Sequence, residues 1–206
     1  MANKASILHL CDFDGTLTTS DSLLHFLWFA SGPGQWLRAL VLVPCYFTGL
    51  LLQGKWSNAR AKEGLLRIFF KGKARQELEA IGVAFCWEKL PGITRRALLD
   101  TLKAAADRGE QVVIVSASPE IWLAPFCREA GFALLCTELA YQQTGVFPHE
   151  TPRFTGYFAT PNCNGAEKAR RILEAYSLAD FSHIIAYGNS RGDEAMFGLA
   201  HEVVRY

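Results

Sequence analysis

The chain has 206 residues, 21 of them Lys or Arg and 20 Asp or Glu, for a formal net charge of +1. That balance excludes the basic field of a nucleic-acid binder, so no nucleic-acid partner is expected. Hydrophobic residues make up 50% and charged residues 20%, which excludes a disordered chain. The length suits one domain, or a core with a modest insertion, and can bury a core without disulfide or metal staples.

Cys11, Cys45, Cys86, Cys127, Cys136 and Cys163 show no Cys-x-x-Cys and no zinc-like clustering with His. They read as buried free thiols in a reducing compartment. The first residues carry one Lys and a short apolar stretch that runs straight into acids, which is not a secretory pattern. The expected location is cytoplasmic, with peripheral contact to the inner face of a membrane left open by one apolar segment.

In chain order, 6–11 reads as a short buried strand ending at Asp12, followed by a tight turn at Asp14-Gly15-Thr16. A helix begins after Ser20 or Asp21, either of which can cap it. Gly32-Pro33-Gly34 breaks the chain. Residues 36–53 then hold a single charge, Arg38, and are interrupted by Pro44 and Gly49. As one helix they would reach roughly 27 Å, just short of a bilayer's hydrocarbon core. Two further helices are expected at 57–70 and 73–88.

Pro91-Gly92 marks a change of character. Residues 93–108 form an amphipathic helix stopped by Gly109. Residues 111–117 are apolar and β-branched, a buried parallel-type strand. Ser118-Pro119-Glu120 supplies a cap with Pro in first helical position, and that helix ends at Gly131. A short strand at 133–136 precedes a hairpin with a long loop at 139–158. Asn164 and Glu167 read as a capping box for a helix at 165–176. A strand at 183–187, a short helix near Gly192 and a last strand at 202–206 complete the pattern.

Strand–helix alternation from 91 onward, with the strand at 6–11, predicts a parallel α/β sheet. The helical stretch between the first two strands reads as an insertion. The expected division is a core of 1–17 and 89–206 with a helical cap at 18–88.

Ligands in open α/β sheets bind at the carboxyl ends of the strands, and three predicted strands end in polar clusters. Asp12 and Asp14, two apart in extended chain, face one side. Paired carboxylates repel unless a cation stands beside them, and a hard divalent ion such as Mg²⁺ takes oxygen ligands. A carboxylate can also attack phosphorus. Lys168 and helix N-termini near Ser118 and Gly165 would gather positive potential for an anion. Acid pair, metal, lysine and helix amides together suit phosphoryl transfer.

The runs DFDGTLT (12–18 within CDFDGTLT), VVIVSAS, the helix Lys168 and YGNSRGDEAM resemble the four motifs of the haloacid dehalogenase-like superfamily, in order. They are spaced 104, 52 and 25 residues apart from Asp12 through Ser116 and Lys168 to Asp193. The SASPE and GAEK contexts are similar to its phosphoserine-phosphatase-like branch, subfamily IB. The resemblance implies a Rossmann-like three-layer parallel sheet with an all-helical cap of the first type, and a Mg²⁺-dependent phosphomonoester hydrolase. It makes Asp12 the nucleophile and a metal ligand. Asp14 becomes general acid and base, with its carbonyl on the metal. Ser116, Ala117 and Lys168 hold the phosphoryl group. Asn189 and Asp193 stand at metal positions, Asp193 acting through a water or Lys168. Asn189 departs from the commoner Asp, which predicts weak Mg²⁺ affinity.

Asp21 and Arg191 are candidates for contacting the rest of the substrate, beside simpler readings as an N-cap and a solvated charge. Arg60 and Arg67 could also meet a second anionic group. The substrate expected is a small phosphorylated metabolite or a lipid phosphate. For 36–53, a single span would separate Asp12 from the other motifs, so the segment is a buried cap helix or a hairpin dipping into a membrane interface. A metal-free dehalogenase and a catalytically inactive membrane-peripheral binding protein are the alternatives. Oligomeric state is not legible in the sequence.

Overall fold

The structure is a computed structural model and describes residues 6–143 and 151–206. Five strands form one parallel sheet: β1 (Ser6–Cys11), β2 (Gln111–Pro119), β3 (Ala133–Thr137), β6 (Phe181–Gly188) and β7 (Glu202–Arg205). Their order is β3-β2-β1-β6-β7. β4 (Leu139–Gln142) and β5 (Arg153–Phe158) pair antiparallel as a separate hairpin. Its long loop falls largely at 144–150, outside the described residues.

Alternation along the strands builds two cores. On one face Cys11, Val112 and Ile114 meet α6 (Arg96–Asp107) and α7 (Glu120–Ala130). On the other, Leu8, Leu10, Val113 and Val115 meet Ile172 of α8 (Ala166–Ala175) and Met196 of α9 (Glu194–Phe197). Because the central strands β1 and β2 are buried on both faces, the sheet can be fully parallel. The result is a Rossmann-like three-layer α/β fold. Central β1 bonds to β2 and β6, with Cys11 opposite Ile114 and Tyr187. This register brings the ends of all three strands together.

Between β1 and β2 lie α1 (Ser22–Ala30), α2 (Pro33–Leu52), α3 (Asn58–Phe70), α4 (Arg75–Glu88) and the single turn α5 (Leu90–Ile93). A bridge between Thr18 and Thr94 draws the two ends of this insertion together. Phe26 of α1 fastens it to the sheet layer, stacking on Trp122 of α7 at 4.5 Å and meeting Phe70 and Phe85 edge-on. Gly82 lets α4 approach the α7 backbone, because a Cβ there would lie 2.0 Å from the Ile121 carbonyl oxygen.

Several expectations are corrected. Segment 36–53 is neither a buried helix nor a broken hairpin. It belongs to one helix that starts at Pro33 and runs through Pro44 and Gly49, with only Ala39 and Leu50 buried. Pro33 stands at the first helical position, where its missing N–H costs nothing. Pro44 cannot donate to Leu40, but both residues lie on the exposed side, where water can satisfy the freed carbonyl. Five cysteines are buried, whereas Cys45 on α2 is exposed. Ser118 does not cap α7. β2 continues to Pro119 and the helix begins at Glu120. The Asn164–Glu167 capping box does not form, since Gly165 is the cap residue of α8 and makes no side-chain cap bond. Glu167 pairs with Arg170 and Arg171 instead.

Candidate active site

β1 ends at Cys11, and the Asp12 N–H still donates to the Tyr187 carbonyl at 2.9 Å. Asp12 is therefore fixed by the last rung of the sheet. The chain then turns at Gly15, whose φ of +79° favours glycine. A Cβ at Gly15 would also meet the Asn189 side chain at 2.0 Å. Both needs select glycine, and the turn carries Asp14 back over the strand end.

The centre is a buried charge cluster. Lys168, in the first turn of α8, is 1% exposed. Its Nζ donates to Asp12 Oδ1 at 2.5 Å and to Asp193 Oδ1 at 2.7 Å. Burial opposes the ammonium charge, but Asp12 and Asp193 outweigh it and hold the Lys168 pKa above the ordinary lysine value. Burial pushes the Asp12 carboxyl up while Lys168 pulls it down, with a net rise. Asp193 ends below the usual carboxylate range, because Lys168 and Ser190 outweigh its burial.

Hydrogen bonds divide the acids by task. Thr16 Oγ1 donates to Asp12 Oδ2 at 2.9 Å, leaving Asp12 held on both oxygens. Asp193 Oδ2 accepts from the Asn189 N–H, the Ser190 N–H and Ser190 Oγ at 3.2, 3.0 and 2.9 Å. Asp193 thus ties Lys168 to the loop that carries Asn189. Gly188 permits this, since a Cβ there would lie 2.9 Å from Asp193 Cβ. Asp14 Oδ1 accepts from the Ser22 N–H at 2.7 Å, and its Oδ2 accepts from Ser118 Oγ. Ser22 Oγ in turn accepts from Trp122 Nε1 at 3.0 Å. Asp14 is therefore held between the first turn of α1 and the end of β2.

These groups open on a cavity of about 420 Å³ lined by Asp12, Asp14, Ala117, Lys168, Asn189, Arg191 and Asp193. Asp21, Asn58 and Lys62 of the insertion form the facing wall. Asp21 does two things. It caps α1, accepting from the Leu23 N–H at 2.9 Å, and it faces the cavity, its pKa raised by burial and then by Asp14. Ser116 is buried, its Oγ accepting from the Ser118 N–H at 3.1 Å, and does not line the cavity. Arg60 and Arg67 turn away: Arg60 donates to the Lys55 carbonyl, and Arg67 stacks over Tyr157.

Ser118, Thr16 and Lys62 carry geometry that the sequence reading did not assign. Ser118 was legible in principle, because residues two apart on a strand share a face and Ser116 was already singled out. Lys62 was not, because nothing in the sequence says which way α3 faces.

The donors present fit a hard cation. The Asn189 side-chain amide makes no hydrogen bond among the described residues and shares the cavity with Asp12 and Asp14. All three offer oxygen, the ligand type of Mg²⁺. Among the described residues no group of three His, Cys, Asp or Glu is placed to hold a metal. The side-chain amide of Asn189 would offer an uncharged oxygen beside the Asp12 carboxylate.

The parallel sheet with acids and a lysine at its carboxyl edge places the chain among Rossmann-like α/β proteins. Residues 10–197 match the haloacid dehalogenase-like hydrolases, and the chain belongs to that family. It is 31% identical over 192 residues to Protein CicA of Caulobacter vibrioides (strain NA1000 / CB15N), a match covering 93% of this chain and 82% of that protein. Its fold is similar to that of a protein of unknown function from Bordetella pertussis Tohama I, with a TM-score of 0.74 at 20% identity over 98% of this chain and 90% of that one. A substrate-bound phosphoserine phosphatase gives a TM-score of 0.61 at 18% identity, over 98% and 86%. These two likenesses are likenesses of fold.

Proposed function

We propose that the chain is a Mg²⁺-dependent phosphomonoester hydrolase working through an aspartyl phosphate on Asp12. The observation that carries this reading is the buried Lys168 ammonium shared by Asp12 and Asp193, at the edge of a cavity that also exposes Asp14. In the reaction, an Asp12 carboxylate oxygen attacks phosphorus and the ester P–O bond breaks. The leaving oxygen takes a proton from Asp14. A water then gives its proton to Asp14 and attacks phosphorus. The bond from phosphorus to Asp12 breaks, releasing phosphate and restoring the carboxylate.

Ser118 and the Ser22 N–H hold Asp14 for these transfers. Lys168 offsets the charge of Asp12 and of the phosphoryl oxygens. Bound by Asp12, Asn189 and the Asp14 carbonyl, Mg²⁺ would neutralise those oxygens further. Asp193 supports that site through Lys168 and the Asn189 main chain. The helical insertion acts as a cap, and Asp21, Asn58 and Lys62 would meet the leaving group. The substrate is then a small phosphorylated metabolite or a lipid phosphate, polar next to its ester.

The test is turnover of p-nitrophenyl phosphate, phosphoserine and a lysophospholipid phosphate with Mg²⁺ and with EDTA. Mg²⁺-dependent release of phosphate by the wild type and none by Asp12→Asn is the expected result. EDTA-resistant dehalogenation of a haloacid, without phosphatase activity, would overturn the reading.

A further inference from the structure

We propose that the outer face of α2 docks on an anionic lipid bilayer, with the helix lying in the interface plane. The inference is independent of the chemistry proposed above. α2 is long and apolar, yet only 11% of its most apolar 18-residue window is buried. Leu37 and Leu40 are each 70% exposed, Val41 64% and Leu52 83%. Leu37, Val41, Pro44, Thr48 and Leu51 follow helical spacing and are all exposed, so they form one outward stripe. The inner face is occupied: Tyr46 lies over Gly64 of α3, and Arg38 donates to the Ile68 carbonyl at 3.0 Å. Trp28 and Trp56, rings of the kind that favour bilayer interfaces, are exposed beside the stripe. A stripe this apolar left to water marks an interaction surface.

Charge selects the occupant. Between Asp21 and Glu63 the chain holds no acidic residue, but it holds Arg38, Lys55 and Arg60 besides Lys62 of the cavity wall. Along one flank of α2 a groove of about 630 Å³ sets Arg38, Arg67 and Lys71 beside Leu42, Cys45 and Ile68. A groove that brings cations and apolar side chains together suits a phosphate headgroup with its acyl chain. The opposite flank is a groove of about 250 Å³ lined by Leu24, Leu27, Trp36, Leu40 and Val43. Spanning the bilayer would tear α2 from α3 and carry Arg38 with it.

The test is flotation of the purified full chain with phosphatidylcholine vesicles and with vesicles enriched in phosphatidylglycerol. The expected result is binding to the anionic vesicles, weakened by salt and by the Lys55→Glu/Lys71→Glu double variant. Leu40→Glu/Leu51→Glu should bind at least about tenfold more weakly, while its circular dichroism and thermal midpoint match the wild type. Three results would overturn the proposal: no flotation with either vesicle, flotation unaffected by the two leucine substitutions, or a soluble dimer that those substitutions dissociate.

Discussion

Replacing Glu120 by glutamine is expected to stabilise the protein above neutral pH. Glu120 opens α7, and its carboxylate accepts from the Leu139 N–H at 3.2 and 3.1 Å. Burial pushes its pKa from 4.5 up to about 7, with Glu138 adding to the rise and the Leu139 N–H and Arg75 opposing it. Below the lower value both folded and unfolded chains hold the proton, and the group costs nothing. Between the two values the unfolded chain releases its proton while the folded chain keeps it, so stability falls as pH rises. Above about 7 both are ionised and the cost is complete. A rise of that size corresponds to at most about 3 kcal/mol. Residual solvation and the Leu139 bond reduce the gain to about 1–3 kcal/mol, since glutamine keeps an acceptor for that N–H. Urea unfolding at about pH 5 and about pH 8 measures it. The variant should match the wild type more closely at the lower pH and exceed it at the higher, where its thermal midpoint rises by about 2–12 °C. A variant no more stable at the higher pH, with a pH-independent difference, would refute the reasoning.

Lys168→Met leaves Asp12 and Asp193 buried without their cation. It should cost about 3–5 kcal/mol in denaturant unfolding, and a loss under about 1 kcal/mol would contradict the cluster's energetics. Gly82→Ala places a methyl group 2.0 Å from the Ile121 carbonyl oxygen. It should lower stability by about 2–3 kcal/mol, whereas Gly92→Ala, with open space around it, should not lower it. Asn189→Asp adds a charge to the proposed metal site and should tighten Mg²⁺ binding by about tenfold or more, read by titration calorimetry or by the Mg²⁺ dependence of the thermal midpoint. Unchanged affinity would remove Asn189 from that site.

The sheet was legible because β1, β2 and β6 are short apolar runs buried on both faces, and such runs announce themselves without their neighbours. Helices α3 and α4 were legible from the Lys71-Gly72-Lys73 break between them. α2 was misread because a proline inside a helical pattern signals a break by local rules. Those rules do not know that its freed carbonyl faces outward. Which faces of α2 and α3 meet is a tertiary fact, and so was the exposure of the apolar segment. Within the site, Asp12, Asp14, Lys168, Asn189 and Asp193 were visible because each stands at a strand end or in a helix's first turn. Ser118 was masked because Pro119-Glu120 starts a helix, which makes the preceding serine read as its cap. The strand instead continues two residues further and delivers the hydroxyl to Asp14.

The most direct test of the central claim is to trap the intermediate. The protein is mixed with a phosphate monoester and Mg²⁺, quenched in acid within one turnover, and digested for mass spectrometry. The account predicts the added mass of one phosphoryl group on the peptide containing Asp12, absent in Asp12→Asn. Undiminished phosphate release by Asp12→Asn, with no phosphoryl group on that peptide in the wild type, would contradict it.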